Sequence, residues 1–416
     1  MPDVFFDLMF YASSLLGNSS LEHLVSRLYR HHGISMKKQS LNDRFTKQTI
    51  QFVKTVLVRL ISKQFSEVLY NEGFLSKFNH VRIKDSTKFN VPQTLAPHYK
   101  GSGGSGDTSS AGISIQYEFD LKTGKFLDLN LTEAVRNDQR DADETVEDVC
   151  KNDLVLRDLG YFSISVFQRI IQQEAFFLSR LLSSVTVYDE NGVEIDFEKL
   201  HKWMTKHGIT LCEKQVFIGK EKQLPVRLIL GIVPTEVYQQ RLRSKEKEQK
   251  RKGREMKTKT KILLHFNLFV TNVQAEDLPL EKVMPLYRFR WQVELMFKNW
   301  KSVFSIHKLQ TMKYERYITM LYIRLILIVI NLQIINRVQA ILSRQGERKR
   351  ILSYRKALQT LKNSFHEILY ILRETQENAI QQLEKIYECL SKNHWREKRK
   401  KRENFIENIG LFICEP

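Results

Sequence analysis

Cysteine is scarce in this chain and never paired. Cys150, Cys212, Cys389 and Cys414 lie far apart and form no C-x-x-C. That spacing excludes a cysteine-ligated zinc module and a disulfide framework, and it suits a reducing, cytoplasmic compartment. The histidines lack an H-E-x-x-H pattern, so a zinc-protease centre is excluded, and His31 and His32 read as structural or surface residues. The glycine cluster KGSGGSGDTSSAG (residues 100–112) is not followed by GK[ST] and leads into a strand rather than a helix. It reads as a flexible linker, not a phosphate loop. The apolar start MPDVFFDLMFYASSLLG carries acids and no basic leader, which is not the pattern of a signal peptide. No internal repeat is present.

Acids are also in deficit. Lysine and arginine total 66 against 47 aspartates and glutamates, giving a net charge of +19. An excess of this size points to a polyanionic partner, either nucleic acid or an acidic membrane surface. The length of 416 residues suggests several structural units, and 42% hydrophobic residues supply sizeable cores. The most apolar run, YITMLYIRLILIVINLQII (residues 317–335), holds Arg324 near its centre, with Asn331 and Gln333. A buried core helix is the reading, and no membrane partner is expected.

Periodicity divides the chain. Leu21, Leu24, Val25 and Leu28 fall at helical spacing, Gly33 breaks the run, and a basic helical run follows from Ser35. Helix, glycine turn and basic helix suit either a helix-turn-helix or a plain bundle. In HVRIKDSTKFNVP, Val81, Ile83 and Asp85 alternate with Arg82 and Lys84, which predicts a strand ending in an acid. A hairpin is predicted next, with Ile113, Ile115, Tyr117 and Phe119 going out and Phe126 to Leu131 returning around LKTGK. After a polar helix, the apolar Leu154–Leu156 run leads out into Asp158. SISVFQRIIQQEAFFLSRLLS reads as one helix.

Residues 186–275 read as a β-rich insertion with a basic arm at 241–261. Whether that arm touches DNA or is only solvated is left open by the charge pattern. Helices resume to the end and include amphipathic runs at Leu358–Leu372 and Leu383–Leu390, with a basic cluster at 395–404.

The segment PLYRFRWQVELMFKNWK contains a single carboxylate, Glu294, among five aromatics and four cations. On a continuous helix, Tyr287, Arg290, Glu294 and Lys301 share an arc of roughly 60°, flanked by Trp291 and Lys298. Alone, this pattern suits an ion-paired surface helix. Together with two strand-end aspartates and the basic charge, it suits three carboxylates holding two divalent cations beside a phosphodiester.

The spacing Tyr287, Arg290, Glu294, Lys301 (two, three and six residues between) resembles the Tyr-Arg-Glu-Lys signature of the insertion sequence four family of bacterial DDE transposases. IKDST resembles that family's first acidic motif and LRDLGYFS its second. Asp158 is preferred over Asp153, which precedes its strand and sits at the other end. The resemblance implies an α/β fold with a ribonuclease-H-like catalytic core. Residues 80–185 would form its first part and 276–345 its second, interrupted by the insertion. A helical N-terminal DNA-binding region (1–79) and a helical basic C-terminal region (346–416) would complete the chain.

The resemblance further implies that Asp85, Asp158 and Glu294 are catalytic and hold Mg²⁺ or Mn²⁺, two ions in all. Tyr287, Arg290, Trp291, Lys298 and Lys301 would meet DNA, with Trp291 placed to stack on an unpaired base. It implies cut-and-paste movement of an insertion element, with double-stranded DNA (inverted-repeat ends and target) as partner and a homodimeric synaptic complex in a bacterial cytoplasm, at the nucleoid. The rival readings are an inactive copy acting as a DNA-binding repressor and a different nuclease on the same core.

Overall fold

The computed structural model describes residues 2–14, 20–64, 73–101, 111–220, 224–344, 351–364 and 375–395. Most of the linker at 100–112, the residues from 365 to 372 and nearly all of the basic cluster at 395–404 lie outside the described residues. The fold is mixed α/β and divides into two compact units. One comprises Met1–Asn71, Asp85–Arg136 and Trp291–Pro416, and the other Glu72–Lys84 and Asn137–Arg290. Strand β1 (Val81–Asn90) begins in the second and ends in the first.

The first unit is mainly helical. It contains α1 (Pro2–Ser14), α2 (Leu21–His32), α3 (Lys38–Asp43) and α4 (Lys47–Ser62). Gly33 ends α2 in the left-handed region at φ 63°, a conformation glycine adopts without steric cost. The basic run after it is two helices rather than one. Thr46 caps α4 by accepting from the Thr49 N–H, so the chain restarts there.

The predicted hairpin is present as β2 (Gly112–Asp120) and β3 (Lys125–Glu133), in antiparallel register from Ile113↔Glu133 to Asp120↔Lys125. Gly124 turns it at φ 70°. The apolar 317–335 run lies within α12 (Tyr314–Arg344), which is buried inside the unit as a core helix. Its Arg324 donates to the Ser305 carbonyl (2.5 Å), and burial pulls that guanidinium down to about 10. Around α12 stand α4, α1, α13 (Tyr354–Asn363) and α14 (Gln376–Asn393). α11 (Arg290–Val303) completes the unit. Trp300, fully buried, packs on Tyr117, Phe126 and Phe297 and donates to the Tyr354 hydroxyl (3.3 Å).

In the second unit the strand order is β1, β4 (Leu154–Arg157), β5 (Phe176–Arg180), β9 (Phe266–Thr271), β8 (Leu224–Ile232), β7 (Leu211–Ile218) and β6 (Val187–Tyr188). β1, β4 and β5 run parallel and the rest antiparallel. The segment expected as one helix at 163–183 divides into α6 (Ile164–Gln172) and β5. Glu174 adopts φ 55° and turns the chain between them. A strand flanked by neighbours on both sides and buried on its faces shows no polar alternation, so its sequence looks helical.

The insertion is not purely β. It also carries α7 (Phe197–Lys206), α8 (Thr235–Arg251) and α9 (Thr258–Leu263), so the basic arm is largely helical. α5 (Asp138–Thr145) and α10 (Leu280–Arg288) flank the sheet strands in sequence.

Candidate active site

The two aspartates stand at matching positions on parallel strands. β1 and β4 pair as Val81↔Leu154, Arg82↔Val155 and Ile83↔Leu156. Asp85 lies two residues past Ile83, and Asp158 two residues past Leu156. Asp158 follows the carboxyl end of β4, where open α/β sheets present functional groups. β1 instead continues to Asn90, so Asp85 lies within its strand and not at the end the sequence predicted; only the pairing with β4 stops before it. Asp153 stands at the opposite end of β4. It is fully buried and accepts from Arg82 Nη1 (3.0 Å) and the Cys150 N–H (3.0 Å), a structural partnership.

Asp85 is half-buried, and its Oδ1 accepts from the Ser86 N–H (2.8 Å). The Asp158 side chain is 40% exposed and does not cap the short turn that follows it. Arg290, whose side chain is only 13% exposed, faces Asp158 with Nε 3.6 Å from Oδ1.

Tyr287 is buried rather than on an open helix face. α10 ends at Arg288 and α11 starts at Arg290. At Phe289 the backbone bond tightens to Leu286 (3.1 Å). Tyr287 belongs to α10, is 7% exposed, and its hydroxyl donates to the Arg157 carbonyl (3.0 Å). Burial raises its pKa, so the phenol is a neutral donor. The open stripe of α11 is therefore Trp291, Glu294 and Lys298, all exposed. Lys301 is half-buried at its margin, and burial lowers its pKa. Val293 and Phe297 turn inward.

The structure thus brings Asp158, Arg290 and Tyr287 together in one unit. Trp291, Glu294, Lys298 and Lys301 lie along α11 in the other, which also holds Asp85. Among the described residues no three His, Cys, Asp or Glu side chains gather as a metal centre requires. The donor chemistry itself fits a hard divalent ion. Carboxylate oxygens are its preferred ligands, and Asp158 is open to solvent.

Arg180, at the end of β5, escaped the sequence reading because the run around it looked helical. It lines a cleft of about 500 Å³ with Leu159, Arg241 and Lys245. Arg241 is anchored to the Phe266 carbonyl (3.0 Å) and Asn267 Oδ1 (2.6 Å). Burial and the nearby Arg180 charge lower the Arg241 pKa. Glu248 lines the same cleft and pairs with Lys245 (2.8 Å), so the two guanidiniums carry the cleft's positive charge.

The family model for the transposase DDE domain matches residues 76–332, well over half of the chain. This chain belongs to the DDE transposases. Over 418 aligned residues the transposase is 30% identical to the transposase for insertion sequence element IS231B of Bacillus thuringiensis subsp. berliner, covering 96% of this chain and 86% of that one. It is 27% identical over 358 residues to the transposase for insertion sequence element IS1151 of Clostridium perfringens, covering 82% and 75%. Among solved structures, the piggyBac transposase synaptic complex with hairpin DNA aligns at 12% identity and TM-score 0.41, covering 97% of this chain and 77% of that one. The DDE transposase family assignment rests on the domain match and the bacterial relatives.

Proposed function

We propose that this DDE transposase moves an insertion element by cut-and-paste transposition and belongs to the Tyr-Arg-Glu-Lys branch, the insertion sequence four family, on a ribonuclease-H-like core. Asp85, Asp158 and Glu294 are the catalytic carboxylates. The observation that carries this is the parallel register, which leaves Asp85 and Asp158 equally far past Ile83 and Leu156. The exposed Glu294 between Trp291 and Lys298 supports it. These three acids would hold Mg²⁺ or Mn²⁺, which supplies an activated nucleophile and charge neutralisation at the scissile phosphate.

The chain's own side chains do the positioning. Lys298 and Lys301 meet backbone phosphates, Trp291 offers a ring for an unstacked base, and Arg290 moves between Asp158 and an incoming phosphate. The partner is double-stranded DNA, taken first at the inverted-repeat ends and then at the target. A homodimer in the bacterial cytoplasm would hold both ends.

The test is a labelled duplex carrying the terminal repeats, incubated with and without Mg²⁺. The proposal expects nicking at the repeat boundary that needs the metal. It also expects Asp85→Asn, Asp158→Asn and Glu294→Gln each to abolish nicking while retaining duplex binding. Cutting without regard to sequence would indicate a general nuclease, and binding without cutting a repressor. Substantial nicking by any one variant removes that residue from the site.

A further inference from the structure

We infer that Tyr287 is a positioning residue that fixes the carboxyl end of β4 and so aims Asp158, rather than a DNA contact. This rests on Asp158 acting in cleavage, as proposed above. Three observations carry it. First, Tyr287 is 7% exposed, so a phosphate has little access to it. Second, its hydroxyl donates to the carbonyl of Arg157, the residue immediately before Asp158 (3.0 Å). A phenol has one proton to give, and here that proton is committed to the strand end. Third, the ring stands edge-on to Phe269 of β9, with centroids 5.0 Å apart, so the hydroxyl cannot swing away freely.

The peptide that Tyr287 grips is held from its own side chain as well. Arg157 is 1% exposed, and its guanidinium lies over the Tyr161 ring at 5.7 Å. Arg157 is thus held by its side chain on Tyr161 and by its carbonyl on Tyr287, just before Asp158. A carboxylate at the end of a short four-residue strand needs such support, because the strand pairing stops just before it. Groups that orient a reacting residue from behind govern rate more than affinity.

The experiment compares the parent protein, Tyr287→Phe, Phe269→Leu and Asp158→Asn. Binding to the terminal-repeat duplex is measured in EDTA, cleavage in Mg²⁺ at saturating protein, and melting temperature without DNA. Tyr287→Phe should bind within about twofold of the parent and cleave roughly tenfold more slowly, the usual loss for an outer-shell partner. Phe269→Leu, which loosens the ring and keeps the hydroxyl, should show the same split.

Weakened binding in EDTA with an unchanged cleavage rate would make Tyr287 a DNA contact and overturn the inference. Unchanged binding and cleavage would also overturn it. So would joint loss of both at a lowered melting temperature, which marks a merely structural tyrosine. Asp158→Asn that still cleaves would withdraw the catalytic assignment of Asp158, a failure separate from that of Tyr287.

Discussion

Lys84, the residue before Asp85, is fully buried and paired to a buried acid. Its Nζ lies 2.7 Å from Asp141 Oδ2 on α5 and 2.7 Å from Thr145 Oγ1. The two side chains are 0% and 4% exposed. At that distance and an effective dielectric of ~20 the attraction is about 6 kcal/mol. Most of it offsets the several kcal/mol needed to strip each ion of water. The pair therefore adds little net stability, yet breaking it is expensive. Lys84→Met leaves the Asp141 carboxylate in the interior without its cation and should cost about 3–5 kcal/mol, a large share of the roughly 5–15 kcal/mol that holds a domain. The melting temperature should fall by about 10 °C.

The double variant Lys84→Met with Asp141→Leu removes both charges and should recover to within ~1 kcal/mol of the parent. Calorimetry of the three proteins checks this, with duplex nicking as a second measurement. Nicking should fall with Lys84→Met and return in the double variant, because Lys84 supports β1 rather than reacting. A Lys84→Met protein that melts with the parent would refute the reasoning. So would a double variant no more stable than the single, since the cost would then come from shape and not from an orphaned charge.

Trp300→Ala should cost about 3–5 kcal/mol, because the indole is fully buried among Tyr117, Phe126 and Phe297. Urea titration checks it. Trp291→Ala, at an exposed ring, should leave the melting temperature unchanged and weaken the hold on a frayed repeat end, by about 1–3 kcal/mol if a base stacks there. His265 supplies a pH dependence. Burial and the neighbouring His201 lower its pKa, so the unfolded chain takes up a proton before the folded one does. Stability is then greatest above the ordinary histidine value and is lost as pH falls below it. His265→Gln should flatten the slope of stability between about pH 7 and 5, and a slope that stays would assign it to other groups.

The sequence spoke most clearly where apolar and polar side chains alternate along a strand, even though β2 is buried on both faces. The hairpin alternates visibly through Ile113, Ile115, Tyr117 and Phe119, and β1 alternates up to Asp85. β5 was hidden because Phe176, Phe177 and Leu178 run together with no polar residue between them, as a strand buried between β4 and β9 permits. Its loss from the reading also hid Arg180. In the candidate site the residue types were legible and their depths were not. A helical wheel across residues 287–301 gives directions without depth, and the structure separates a buried Tyr287 and Arg290 from the exposed Trp291, Glu294 and Lys298.

That separation has a consequence for how the signature residues divide their work. Tyr287 and Arg290 are drawn inward toward the strand end that carries Asp158, and Trp291, Glu294 and Lys298 face outward. On the proposed function, a motif with fixed spacing would then contain two functions. Its first two members would set the position of an acid on another element, and its later members would meet the nucleic acid. The spacing between Arg290 and Glu294 has to satisfy both. Inserting one residue between them rotates everything after it by about 100°. Such an insertion would turn Glu294 from the open face toward the buried one while leaving the Tyr287–Arg157 bond intact. It should abolish nicking with little loss of the fold of the Asn137–Arg290 segment. Retained nicking would mean that the face presented by Glu294 is not the one that matters.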